Sequence, residues 1–326
     1  MNILLLVCSI VVACCLSYKL IGGDKTVVPV FFDKYYTTVA KGIAILMIMV
    51  GHCSSFWYAG RILTPCGGIG VAIFLIISGY GLNESYKRSG LRCFWKKRLG
   101  RVYLPYLIVV LLFAIVHQWG IKKCLLNFSC INSPYWFITY IVECYIVFWL
   151  ITYFIPKCRN VILVIVSVLT IFFMPELQAE QALSFVSGVL LSAHKNRVFK
   201  ILAIKKAHYI ICSVFLLIGL AFLLFKQIQF VREEASETQM NIIQCLIKYS
   251  LGIFILLVIN NVKVILRNPL VYFAGLISYE LYLVHFPFYL LVREKLWPAL
   301  LLFVASFIVA YIFFNLNNWV HKKIIS

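Results

Sequence analysis

The sequence predicts an all-α, polytopic membrane protein of about 10–11 transmembrane helices around a central cavity, and three observations carry that expectation. Of the 326 residues, 63% are hydrophobic and only 13% charged, with a mean hydropathy of +0.97, whereas a soluble domain is about 25% charged. Apolar windows long enough to cross a hydrocarbon layer of about 30 Å recur along the whole chain. The cations also collect in alternate gaps between them. If the Lys41 end of the second window is cytoplasmic, 22 of the 30 Lys and Arg fall in inward-facing segments. That is the positive-inside pattern, with the N-terminus outside and the C-terminus inside. Topology therefore accounts for most of the formal charge of +19, and nucleic acid is not the partner that charge implies.

In order, the windows fall at 3–21, 38–57, 67–85, 103–119, 135–155, 160–174, 181–194, 207–226, 243–261, 270–292 and 298–319. No soluble domain, low-complexity tract or fixed-period repeat interrupts them. Residues 35–326 are expected to form one membrane domain, preceded by an extra N-terminal helix and linker at 1–34. The first window lacks a positive segment ahead of it, and Lys19 and Lys25 follow it, so a retained helix is expected rather than a cleaved signal. The twelve cysteines show no CxxC or CxxH spacing, and no metal site is expected. Cys124 and Cys130 share one outer loop and could pair in an oxidising compartment; packing of free thiols suits the others.

The second window, KGIAILMIMVGH, places Lys41 and His52 eleven residues apart, on one helical face and about 16 Å apart along the axis. Lys41 can snorkel to a membrane surface, while His52 lies deep. An ionisable residue within a span usually faces a cavity or pathway; the alternative is a packing histidine bonded to a neighbouring helix. An ordinary pKa near 6.5 suits imidazole to take a proton from a hydroxyl at neutral pH. The third window is rich in small residues that let helices approach closely. Its Ser78-Gly79-Tyr80 stretch could admit a ligand beside the backbone. Next comes a basic loop with Lys87, Arg88, Arg92, Lys96, Lys97, Arg98 and Arg101, ahead of Pro105 at a helix start. Three apart on a helix, Arg98 and Arg101 would project together as a fork for phosphate oxygens; attraction to anionic lipid headgroups is the other reading.

The fifth window puts Trp136, Tyr140 and Glu143 on one face, the last a carboxylate inside the span. Trp136 and Tyr135 also suit an interfacial aromatic belt. The tenth repeats the pattern with Ser278, Tyr282, His285 and Tyr289, a polar stripe expected to line a cavity, with Pro287 expected to bend the helix beyond it. His117, His194, His208 and His321 fall near helix ends and are expected at the interface. The outer loop 226–242, with Glu233, Glu234 and Glu237, reads as a solvated face.

Taken together, these stretches resemble the integral-membrane acyltransferase family 3, the polysaccharide O-acetyltransferase type, over nearly the whole chain after residue 35. The resemblance rests on Lys41 with His52, on GVAIFLIISGY, on FWKKRLGRVYLP with Arg98 and Arg101, on WFITYIVECY and on ISYELYLVHFPF, in the family's order and spacing. Many relatives carry arginine where this chain has Lys41. The first helix is additional to the usual ten, and the hydrolase-like extracellular domain that some relatives append is not expected here. The spacing of Glu143 from the tryptophan differs from that of another branch, so no catalytic role is transferred to it.

The resemblance implies an acyltransferase of the cytoplasmic membrane of a bacterium. It would move an acyl group, in the first instance acetyl from acetyl-CoA, to a hydroxyl of a cell-surface polysaccharide or glycan precursor. His52 is the implied general base, with Lys41 orienting the donor. Arg98, Arg101 and Lys97 would hold the donor's phosphates. Ser78, Tyr80, Glu143, Ser278, Tyr282 and His285 are expected around the substrate cavity. The expected partners are a glycan or lipid-linked sugar acceptor and membrane lipids, with room for a homo-oligomer. The alternative from the residue types alone is a transporter or flippase for a glycan or lipid-linked sugar, in which deep His and Glu relay protons; the lack of a two-fold internal repeat speaks against it.

Overall fold

The computed structural model describes residues 2–21, 30–54, 63–129, 135–289 and 296–324. These are 89% helical and contain no strand. The helices are α1 (Asn2–Ile21), α2 (Lys34–Ser54), α3 (Pro65–Ser89), α4 (Phe94–Arg98), α5 (Leu104–Val116), α6 (Ile121–Phe128), α7 (Trp136–Phe154), α8 (Arg159–Phe173), α9 (Glu176–Ala179), α10 (Ala182–Ala193), α11 (Lys195–Ala203), α12 (Lys205–Phe225), α13 (Gln229–Glu234), α14 (Glu237–Asn261), α15 (Lys263–Leu266), α16 (Pro269–Leu276), α17 (Ser278–Tyr289) and α18 (Leu296–Ile324).

Over their described residues all eleven apolar windows are mainly helical, but they are not all alike. Eight helices among the described residues are long and apolar enough to span a membrane. The remaining three windows are α1, the short α10, and the pair α16 and α17, which meet at a 73° bend. The tenth window is thus sharply bent, and Ser278, Tyr282 and His285 do not continue a straight helix from its start. The break lies at Ile277, ahead of Ser278; the side chains of Pro287 and Tyr289 lie outside the described ones, as does Cys130 with the pairing expected of it.

Glycines set the core. A Cβ on Gly42 of α2 would overlap the Val271 carbonyl of α16, and one on Gly275 would overlap the Thr38 carbonyl, so the two backbones touch. The same reciprocal contact joins α3 to α10, where Gly79 meets the Phe185 carbonyl and Gly188 that of Ile76. Its register with α3 explains why the short α10 is buried. α2 lies against α3 as well, with Gly51 meeting the backbone of Gly67. It is therefore held from two sides.

Polar bonds fix the ends. Glu84 accepts from Ser192 (2.7 Å), Lys195 (2.7 Å) and Lys87 (3.1 Å), tying α3 to α10 and α11. Asn83 donates to Ser192 Oγ (2.9 Å) and accepts from Arg159 Nη2 (2.9 Å). At α1, Ser17 donates to Asn268 Oδ1 (3.2 Å), and Asn268 Nδ2 donates to the Cys14 carbonyl (2.8 Å). Asn268 also caps α16. The extra helix is thereby bonded to the element that positions α2.

Gly275→Val should be overpacked against the Thr38 carbonyl, at a cost of order 1–3 kcal/mol, and should melt at a lower temperature in detergent. Gly81→Val, at a glycine with no atom within 4 Å of a built Cβ, should melt as the unaltered protein does. Equal melting of the two variants would contradict the backbone contact.

Candidate active site

Beyond the break at Ile277, His285 of α17 faces His52 on α2. His52 Nδ1 lies 2.9 Å from His285 Nε2, and the rings are near parallel, at 18°. His285 Nδ1 lies 3.0 Å from the Leu281 carbonyl. These contacts fix the tautomers of the neutral rings. A carbonyl only accepts, so His285 carries its proton on Nδ1 and presents a bare Nε2. His52 must then donate from Nδ1, which leaves the lone pair of its Nε2 as the basic position. One imidazole thus holds the other in the form a general base needs.

The pair opens into a cavity of about 450 Å³ lined by α2, α3, α7, α14 and α17. Tyr282, one turn before His285, is buried in its wall and accepts from the Phe137 backbone N–H. Tyr135 donates to the Leu283 carbonyl (2.7 Å), which locks the start of α7 to α17. Across the cavity, Lys248 of α14 forms a buried ion pair with Glu180, and Gln181 donates to the Gly68 carbonyl (2.9 Å). The Lys248 stem crosses Gly68, where a Cβ would fall 2.5 Å from Lys248 Cε. Breaking such a pair strands a buried charge, so Lys248 and Glu180 form a fixed wall.

A second cluster lies at the other end of α2, about 16 Å along its axis. Lys41 is close enough to Arg101 for their charges to act on each other. Arg98 stacks its guanidinium 5.8 Å from the Phe94 ring and 5.6 Å from Tyr145, and its Nε is buried with no hydrogen-bond partner. Tyr145 in turn bonds Ser78. The backbone between the arginines is a π-helical turn, Leu99–Tyr103, so they do not form the simple i, i+3 fork of an α-helix. Arg98 is drawn inward while Arg101 stays exposed. Wide turns of this kind often mark functional sites.

An acyltransferase domain family model matches residues 34–315. The chain belongs to the acyltransferase 3 family. No curated protein and no solved structure is significantly similar to it. The matched region includes both clusters and leaves out the whole of α1.

Within this membrane acyltransferase, the structure joins some expected site residues and separates others. His52, Tyr282 and His285 share one cavity. Lys41, Ser78, Arg98 and Arg101 gather at the opposite end, and none of them lines that cavity. Glu143 does not join the histidines: with Tyr140 it lines a separate pocket of about 150 Å³ between α7, α8 and α10. Tyr80 packs on Phe32, with ring centroids 4.8 Å apart. Lys97 is exposed and donates to Ser89 Oγ (3.2 Å), and Ser278 is buried beside the break. His208, in the first turn of α12, is buried and bonded to Asn261 Nδ2 (2.7 Å). Trp136 turns toward the cavity rather than forming only a belt. The Lys248–Glu180 pair and Tyr145 escape sequence reasoning, although a lysine inside the 243–261 window is itself a signal of an intramembrane partner.

His285→Ala should leave His52 without the acceptor that fixes its tautomer. It should lower acyl transfer roughly tenfold to a hundredfold, part of the 10²–10⁴ that a general base supplies, and move the pH profile of the rate. His285→Gln, which keeps an acceptor oxygen, should restore part of both. Full activity and an unmoved pH profile in the alanine variant would show that the pair is only packing.

Proposed function

We propose that this acyltransferase moves an acyl group, acetyl in the first instance, from cytoplasmic acyl-CoA to a hydroxyl of a cell-surface polysaccharide or its lipid-linked precursor. The observation that carries this reading is the His52–His285 hydrogen bond at the wall of a cavity, which makes Nε2 the basic nitrogen of His52. In this reading His52 Nε2 takes the acceptor's proton as the oxygen attacks the thioester carbonyl. Collapse of the adduct breaks the carbon–sulfur bond, and the departing thiolate takes the proton from the imidazolium. His285 and Leu281 hold the ring throughout.

The two-ended arrangement supports the donor assignment. Acyl-CoA carries its phosphates far from its thioester, joined by a long flexible arm. Arg98, with its unpartnered Nε, Arg101 and Lys41 are suited to phosphates. The arm would then have to reach along α2 toward His52, past the close glycine contacts of α2 with α3. This orients the basic end to the cytoplasm and the histidine end to the exterior of a bacterial cytoplasmic membrane, with the N-terminus outside and the C-terminus inside. The excess of Lys and Arg at the basic end agrees with that orientation. Lys97, exposed beside Ser89, would contribute only at the rim, and membrane lipids would meet the remaining loop cations.

The test uses purified protein in lipid nanodiscs with acetyl-CoA and an oligosaccharide acceptor, reading both coenzyme A release and acetylated product. His52→Ala should lose 10²–10⁴ in turnover while keeping its place in the membrane. Arg98→Ala should raise the KM for acetyl-CoA about tenfold or more, the scale of a lost charge-assisted bond. Undiminished transfer by His52→Ala would overturn the mechanism. Intact acetylation with lost glycan export in cells would favour a transporter.

A further inference from the structure

The polar side chains of the histidine cavity divide into two sets. One is satisfied internally: His52 with His285, Lys248 with Glu180, and Gln181 with the Gly68 carbonyl. The other consists of Lys226, Gln227 and Gln244, which line the same cavity. Among the described residues the side chains of these three make no hydrogen bond and no close ion pair. Gln244 lies one helical turn from Lys248 on α14, so it shares that face. Lys226 closes α12 on the same side. Lys226 and Gln244 are half-buried and Gln227 is exposed at the cavity's edge; an ammonium and two amides facing one cavity form a surface for a ligand.

We infer that Lys226, Gln227 and Gln244 form the acceptor subsite, and that Lys226 selects a sugar bearing a carboxylate, a uronic acid residue. The inference rests on the acyl-transfer reading above and names the acceptor class that reading leaves open. Amide side chains both donate to and accept from sugar hydroxyls, and the Trp136 ring in the same lining offers an apolar face. The ammonium needs an anion. Glu180 is committed to Lys248, and Glu176 and Arg232 act on Lys226 only from a distance and with opposite signs. Burial pushes the Lys226 pKa down from its ordinary value, against the pull of Glu176, so a bound carboxylate would hold its proton in place. A single ammonium flanked by neutral amides matches a monoanion; a phosphate would call for several cations together, as gathered at the opposite end of α2.

The experiment measures binding and transfer separately on the full chain in nanodiscs, with an oligo-uronate and its carboxyl-reduced neutral counterpart as probes. Calorimetric titration without donor should give tighter binding of the oligo-uronate by about tenfold or more, the scale of a charge-assisted bond. Lys226→Gln should abolish that difference, and Lys226→Glu should reverse it. Gln244→Ala should weaken both probes alike. With acetyl-CoA present, the same preference should appear in kcat/KM. Equal binding of the two probes by the unaltered protein, or an acid preference that survives Lys226→Glu, overturns the subsite even if transfer proceeds. Charge-selective binding that depends on Lys226, with no acyl transfer to either probe, upholds the subsite and overturns the acyl-transfer reading instead.

Discussion

The backbone contact between α2 and α16 is the constraint on which the site depends. Gly42 and Gly275 let the two helices touch, and the chain then turns by 73° at Ile277. Beyond that turn, His285 of α17 lies opposite His52. A side chain at either glycine would push α16 away and carry α17 with it. The contact of Gly51 with Gly67 holds the other flank of α2 at the level of the cavity. The geometry of the histidine pair is thus set by small residues. Without a hydrophobic drive between helices in lipid, such close packing is the main source of association.

α2 links two environments. At one end, paired imidazoles face a cavity with a fixed Lys248–Glu180 wall. At the other, Lys41, Arg98 and Arg101 concentrate positive charge beside Ser78 and Tyr145. Charge and base are separated along the axis of one helix, which suits a reaction whose donor is anchored far from its reacting carbon. The π turn at Leu99–Tyr103 is part of this arrangement. It lets Arg98 turn inward onto aromatic rings while Arg101 remains at the surface, a division that a regular helix would not give two residues three apart.

Much of this was legible in the amino-acid order because it is written in local composition. Apolar windows and their basic gaps give the helices, and His52 and His285 stand out as ionisable groups inside spans. What the sequence could not supply is tertiary. The break at Ile277 has no proline or glycine at its own position to announce it. Glu143 looks like a companion of Trp136 on one helix face, yet the packing of α8 and α10 encloses it elsewhere. The Lys248–Glu180 pair joins residues 68 positions apart, and neither periodicity nor motif connects them. Arg98 and Arg101 were legible as a pair, but their division of roles depends on a π turn that no residue pattern specifies.

The central claim is that His285 fixes His52 as the tautomer with its proton on Nδ1 and its lone pair on Nε2. Nitrogen-15 NMR of histidine-labelled protein, with the two rings assigned by replacing each of the six histidines in turn, tests this directly. The structure requires protonated Nδ1 and unprotonated Nε2 in both His52 and His285, with His52 losing that preference in the His285→Ala variant. A His52 signal showing the proton on Nε2, or one indifferent to the loss of His285, would contradict the account.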